Sequence, residues 1–311
     1  MSMTLTQAPR ASRGGVSASE SRRAARTPVQ FPAKVELFNG VQMTPTTYAE
    51  VVETCIHAAK AKQPALCAFA ANHILAMAAK EPDFRARINQ FDLVAPDGQP
   101  VRWAMNYFHK AGLSDRVYGP EFTRRMCEAA AEAGVSIYLF GSTDEVIAKL
   151  CENLKQMFPK LVIAGAESPP FRPLTPEEDA AVVKRINESG AGLLFIGIGA
   201  PKQENFAFAH RDQIVPVQLC VGAAFDFHAG VKSTAPAWMQ KRGLEWVYRL
   251  LKEPKRLWKR YLVTNSVYLG LFAKHAFLKL IRRWPKKTMA ADTKAASAVG
   301  VLEEDELHVA A

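Results

Sequence analysis

Residues 193–227 read LLFIGIGAPKQENFAFAHRDQIVPVQLCVGAAFDF. Two apolar runs within them, residues 193–198 and 217–221, have the length and glycine-bounded flanks of buried strands, and the segment between, opening at Pro201, reads as a helix. That is a βαβ unit. In an open α/β sheet the loops leaving the strand carboxyl ends form the crevice where ligands bind. Here those loops are Gly199-Ala200-Pro201-Lys202-Gln203-Glu204 and Gly222-Ala223-Ala224-Phe225-Asp226. Small residues let a ligand approach the backbone, Pro201 suits a first helical position, and the helix amino end favours anions such as phosphate. Gln203 and Glu204 are expected to point into the same mouth. Gly197 and Gly199 also have a plainer reading, as tight turns. A dinucleotide fingerprint is unsupported, because the third glycine of G-x-G-x-x-G would fall at Lys202.

Outward from this unit the pattern repeats. Residues 35–44, VELFNGVQMT, alternate like an antiparallel strand or hairpin, and a helix is expected over residues 45–62. A buried strand over residues 66–71 delivers Asn72 and His73 to a strand end. One helix then follows, through ILAMAAKEPDFRARINQ. Asn72 reads either as a cap or as a ligand contact, and His73 as an ordinary surface histidine. A third short strand, residues 92–95, ends in Pro96-Asp97-Gly98-Gln99-Pro100. This sets a carboxylate at a strand end, beside a glycine that admits substrate and a proline that starts a helix. Asp97 is therefore the sharpest catalytic candidate, with a turn or cap aspartate as the competing reading. Further strands are expected over residues 135–140 and 161–166, between helices over residues 120–134, 143–158 and 176–189. Such alternation implies a mostly parallel sheet, Rossmann-like, with helices on both faces.

The chain has 311 residues, a formal charge of +10 and five cysteines without C-x-x-C spacing. An anionic partner is expected from the charge, and buried reduced thiols from the cysteines. The domain organisation expected is a disordered tail over residues 1–33, a catalytic α/β domain over residues 34–240, a basic helical appendage over residues 241–287 and a disordered tail over residues 288–311. Neither a secretory signal nor a membrane-spanning run of about 18 apolar residues is read in the sequence.

Residues 241–287 hold fourteen Lys or Arg against two acids, Glu245 and Glu253. Two short helices are expected, over residues 244–253 and 254–261, separated by Pro254. Arg256 and Arg260 then share a face. Leu257, Trp258, Tyr261, Leu262, Tyr268, Leu269, Leu271 and Phe272 supply the apolar surface of this segment, and Trp258 and Trp284 amid so many cations suggest a helix lying in a membrane interface, the alternative being a solvated basic face over a core. No nucleic-acid-binding motif accompanies the charge, so a nucleic-acid partner is not expected.

The runs GIGAPKQENF, VGAAFDFHAGVKSTAPAWMQKRGLEWVYRLLKEPKRLWKRYL and APDGQPVRWA resemble, in order, the WecB/TagA/CpsF glycosyltransferases, also called glycosyltransferase family 26. The resemblance covers about residues 35–271. It implies a Rossmann-like fold with a membrane-contacting appendage, and an inverting, metal-independent transfer without cofactor. The donor implied is a UDP-sugar and the acceptor a polyprenyl-diphosphate-linked saccharide, at the inner face of the plasma membrane. By the same resemblance Asp97 matches the family's base, Asn72 and Gln203 match pocket residues, and Arg249, Arg256 and Arg260 match arginines that close over the diphosphate. Ala70 departs from a frequent threonine. The chemistry asks for one carboxylate to take the acceptor hydroxyl's proton and for cations or amides to hold the departing diphosphate. With no D-x-D element in the core, arginines and helix amino ends are expected to supply the second need. Asp226 is the rival base. A nucleotide-sugar epimerase or a non-catalytic nucleotide-binding protein would share the same α/β core.

Overall fold

The computed structural model describes residues 28–282. The expectations for residues 1–27 and 283–311, Trp284 and the terminal tails among them, lie outside those residues. The chain opens with a hairpin, β1 (Val35–Glu36) against β2 (Gln42–Met43), turned by Asn39 and Gly40, both at positive φ. They are the two central residues of a tight turn over residues 38–41, closed by the Val41 amide donating to the Phe38 carbonyl at 3.0 Å. Helix α1 (Tyr48–Ala61) starts at Thr47, whose hydroxyl accepts from the amide of Glu50. It therefore begins later than residue 45, because the cap and not the proline sets the first turn.

Strand β3 (Leu66–Ala70) is followed by two helices, α2 (Asn72–Lys80) and α3 (Pro82–Asn89), in place of the single one expected. Pro82 has no amide to continue α2 and instead occupies the first turn of α3. Then come β4 (Leu93–Pro96), α4 (Gln99–His109), α5 (Gly119–Ala133), β5 (Ile137–Gly141), α6 (Asp144–Met157), β6 (Ile163–Glu167) and α7 (Pro176–Glu188). The βαβ unit forms as read: β7 (Leu193–Gly197), α8 (Lys202–Ala209) and β8 (Val217–Cys220). Short helices α9 (Ala224–His228) and α10 (Ala237–Lys241) lead to α11 (Glu245–Lys252) and α12 (Pro254–Arg282).

The six long strands pair in parallel in the order β4-β3-β8-β7-β5-β6. Their side chains alternate between two cores. Leu194 and Ile196 of β7 join Ile74, Met105, Ile186 and Tyr268 on one face, while Leu193 and Phe195 join Val51, Phe122, Ile147 and Phe225 on the other. Helices on both faces of a parallel sheet make the fold α/β and Rossmann-like. Because every strand runs the same way, the residues after β3, β4, β5, β7 and β8 all emerge along one edge.

The last helix differs from its expectation. It runs 29 residues without interruption, about 43 Å at 1.5 Å per residue, since no proline and only one glycine, Gly270, falls inside it. Its inner side is embedded in the core. Tyr268 is buried and donates to the carbonyl of Pro100 at 2.6 Å, and the Phe38 ring meets Phe108, Tyr268 and Phe272 edge-on.

Candidate active site

The extended segment after β4 turns at Asp97, whose amide donates to Ala70 on β3. Gly98 follows, and a Cβ there would stand 3.2 Å from the Asn72 side chain. Glycine thus lets the ends of β3 and β4 close together. Between these ends and α11 lies a cavity lined by Asn72, His73, Asp97 and Gln99 on the sheet side, and by Glu245, Trp246 and Arg249 on the α11 side. Arg116 and Tyr118, from the loop before α5, complete its floor. A larger surface depression near the carboxyl end of α1, lined by Glu53, His57 and Lys60, is at the opposite end of the sheet and holds no such convergence.

Asp97 accepts from the amide of Gly119 at 3.2 Å. Burial pushes its carboxyl up to about 6, against the pull of Arg116 and Arg249 and with a further push from Glu245. Such a group is ionised at neutral pH yet more basic than a surface carboxylate, which suits general-base work. Behind it, the Glu245 carboxylate bridges two guanidinium groups, Arg116 at 2.5 Å and Arg249 at 2.5 Å. Burial alone would raise the Glu245 carboxyl, but the two arginines outweigh it and hold it below the usual range. Arg249 also donates to the Tyr118 hydroxyl at 3.1 Å and lies over the Phe227 ring, while its Nε is buried without a partner. Arg116 stacks on the Tyr118 ring.

The structure brings together Asn72, Asp97 and Arg249 of the residues singled out from sequence. His73 is not the surface histidine expected: it lines the cavity, and burial with the charges of Arg260 and Arg249 lowers it to about 4, so it is neutral at pH 7. Asn72 is the first residue of α2 and not its cap, a place taken by Ala71. Arg256 and Arg260 are solvent-exposed on α12. Arg256 pairs with Glu253 at 2.5 Å, and Arg260 lies over Tyr261, which lines the cavity.

The motif around the βαβ crossover sits elsewhere. Gly199 turns at positive φ, but Gly197 serves packing, since a Cβ there would come within 2.6 Å of the Phe225 ring. Gln203 and Glu204 do not face a common mouth: both are buried, with Gln203 donating to the carbonyl of Cys220 and to Glu204. Because α8 begins at Lys202, its first turn directs both side chains back toward β8. Burial pushes the Glu204 carboxyl up to about 7. Asp226 is held in an ion pair with Lys232 at 2.5 Å and accepts from Ser142.

Sequence reasoning passed over Arg116, Tyr118 and Gln99. Glu245 was visible as one of two acids in a basic segment, a signal that would have marked it as a charge partner for arginine.

A strand-end carboxylate of raised basicity, set against two guanidinium groups, is an arrangement that can take a proton beside an anionic substrate. The sequence model of the glycosyl transferase WecG/TagA/CpsF family matches residues 35–282. The chain belongs to this family, the one its motifs resemble, and is a glycosyltransferase of cell-surface polysaccharide synthesis.

Proposed function

We propose that the enzyme transfers a sugar with inversion from a UDP-sugar to a polyprenyl-diphosphate-linked saccharide, without a divalent metal, while attached peripherally to the inner face of the plasma membrane. Asp97 takes the proton of the acceptor hydroxyl as its oxygen attacks the anomeric carbon, and the bond to the UDP oxygen breaks on the opposite side. Arg249 and Arg116 supply positive charge to the departing diphosphate, with Arg260 at the rim. Asn72 contacts the sugar.

One observation carries this reading: Asp97 is the cavity carboxylate not bound in an ion pair, since Glu245 is taken by the two arginines. The rival, Asp226, is neutralised by Lys232 and lies outside the cavity. The test is Asp97→Asn, assayed for transfer to lipid-linked acceptor and for UDP-sugar binding. Loss of a general base lowers the rate by about 10²–10⁴-fold, with donor affinity nearly intact. A variant that keeps half the wild-type turnover transfers the role to another group.

A further inference from the structure

Gln99, at the first position of α4, is 5% exposed and lines the cavity. Its amide nitrogen donates to Asp115 Oδ1 at 3.2 Å. A carboxylate only accepts, so Asp115 determines which end of the amide faces it. The carbonyl oxygen of Gln99 is therefore the end left over, and it is buried without a donor. A Cβ on Gly243 would come within 3.3 Å of Gln99, so the loop before α11 packs directly on this side chain and holds it in place. On the same side of the cavity, the Asn72 Oδ1 is also buried without a donor. His73 is the next residue of α2 and lines the cavity, its ring making no hydrogen bond to the described residues.

These groups share one chemistry. An amide carbonyl repels phosphate oxygens and accepts from hydroxyl or N–H donors. The cavity is thus divided between a cationic wall, Arg116 and Arg249, and a neutral wall rich in acceptors. Leaving a buried acceptor unpaired costs about 1–3 kcal/mol, a cost that a ligand donor removes.

We infer that Gln99 and His73 are specificity-determining residues that accept hydrogen bonds from sugar hydroxyls in this cavity. The inference rests on the glycosyl-transfer reading and names the half of the site that reads the sugar. Because the hydroxyl can belong to the donor sugar or to the acceptor saccharide, the experiment separates the two. Lowering of the His73 ring by burial supports its part, since a neutral imidazole keeps an accepting nitrogen throughout the physiological range.

The test uses the full-length enzyme. The UDP-sugar it transfers is first found with a donor panel, and kcat/KM is then measured for single-deoxy derivatives of that donor and, separately, of the acceptor saccharide. Wild type, Gln99→Met and His73→Phe are compared. The 1–3 kcal/mol converts to about 5- to 150-fold, so Gln99→Met should lose that much with the intact substrate and almost nothing with the one deoxy compound lacking the hydroxyl it reads. Whether that compound is a donor or an acceptor derivative assigns the wall. A uniform loss across every derivative, or no loss at all, overturns the inference while leaving glycosyl transfer standing. Failure of wild type to transfer from any UDP-sugar overturns the reading beneath it. Since a general packing defect would also slow the variant, Gln99→Glu provides a second measure. It keeps the shape and an acceptor toward the cavity but sets a carboxylate against Asp115, so it should impair every substrate alike, in contrast to the selective loss with methionine.

Discussion

Arg116 and Glu245 stand 129 residues apart in the chain and meet at 2.5 Å with both side chains nearly sealed from solvent. One comes from the loop before α5 and the other begins α11, so their pairing fastens the C-terminal helices across the strand ends. It also sets the electrostatics of Asp97, because Glu245 raises that carboxyl while the arginines lower it. Replacing Glu245 by Gln should therefore lower the pH at which the base is lost and shift the acidic limb of the kcat/KM profile downward. Glu245→Ala, which leaves two buried guanidinium groups without their anion, should cost about 3–5 kcal/mol in urea unfolding. An unshifted acidic limb in Glu245→Gln would show that the Glu245 charge is not felt at the base.

The pH dependence of the wild type follows from Asp97 itself. The base must be ionised, so kcat/KM should be flat above neutrality and fall as pH drops through about 6. Stability runs the other way. A carboxyl raised on folding favours the protonated native state, so its contribution is complete below about pH 4 and is lost as pH rises through about 6. Two units correspond to roughly 3 kcal/mol. Asp97→Asn should then be strongly impaired in transfer yet more stable than wild type at pH 7.5, with the gap closing by pH 4 in urea titrations at the two values.

Which parts of this site could be read from the chain depends on the distance over which each was determined. Asp97 was legible because a strand, a Pro-Asp-Gly turn and a helix-opening proline are contiguous, and contiguous residues report their own geometry. The parallel sheet was legible for the same reason, since each buried strand is a short apolar run. Arg116 was not, because its role is created by Glu245 from the far end of the chain. Helical periodicity grouped Arg256 with Arg260 correctly, but Pro254 starts a new helix, so the turn that buries Arg249 says nothing about the two that follow. Gln203 and Glu204 were misplaced by assuming that a helix amino end exposes its first side chains, when α8 turns them inward against β8. The single helix expected after β3 failed at Pro82, where apolar periodicity continued through the break.

Positive charge at the diphosphate is assigned to arginines, so transfer should persist in excess EDTA. The check is the initial rate before and after chelation, with Mg²⁺ or Mn²⁺ added back. Loss of activity that either metal restores would remove the metal-independent scheme and leave Arg249 and Arg116 as assistants to a cation.

The proposed membrane attachment through α12 is better tested by point substitutions than by truncation. Ending the chain after Leu271 would remove Phe272 and His275, whose rings pack on Phe38, and would disturb the core along with the surface. Lys279, one of the cations of the basic segment, donates to the carbonyl of Tyr107 and lies over its ring, so it is not free to meet a lipid headgroup. What α12 does offer is an apolar stripe: Trp258, Leu262, Leu269 and Leu280 are all more than half exposed. Their spacings of 4, 7 and 11 are each close to a whole number of helical turns, so they fall within one face. Lys255 and Lys259 border it. No helix among the described residues is long and apolar enough to cross a membrane, so the proposed attachment is interfacial, by apolar insertion aided by about 1 kcal/mol per basic side chain near an anionic leaflet. Replacing Leu262, Leu269 and Leu280 together by Gln removes three of the four members of the stripe without touching the packed side of the helix. The triple variant should unfold at the wild-type urea midpoint and transfer sugar normally to a water-soluble acceptor analogue, yet fail to sediment with phosphatidylglycerol vesicles at moderate salt. Arg249→Ala should behave oppositely, binding vesicles but losing transfer. If the triple variant sediments as wild type does, the stripe is not the membrane contact.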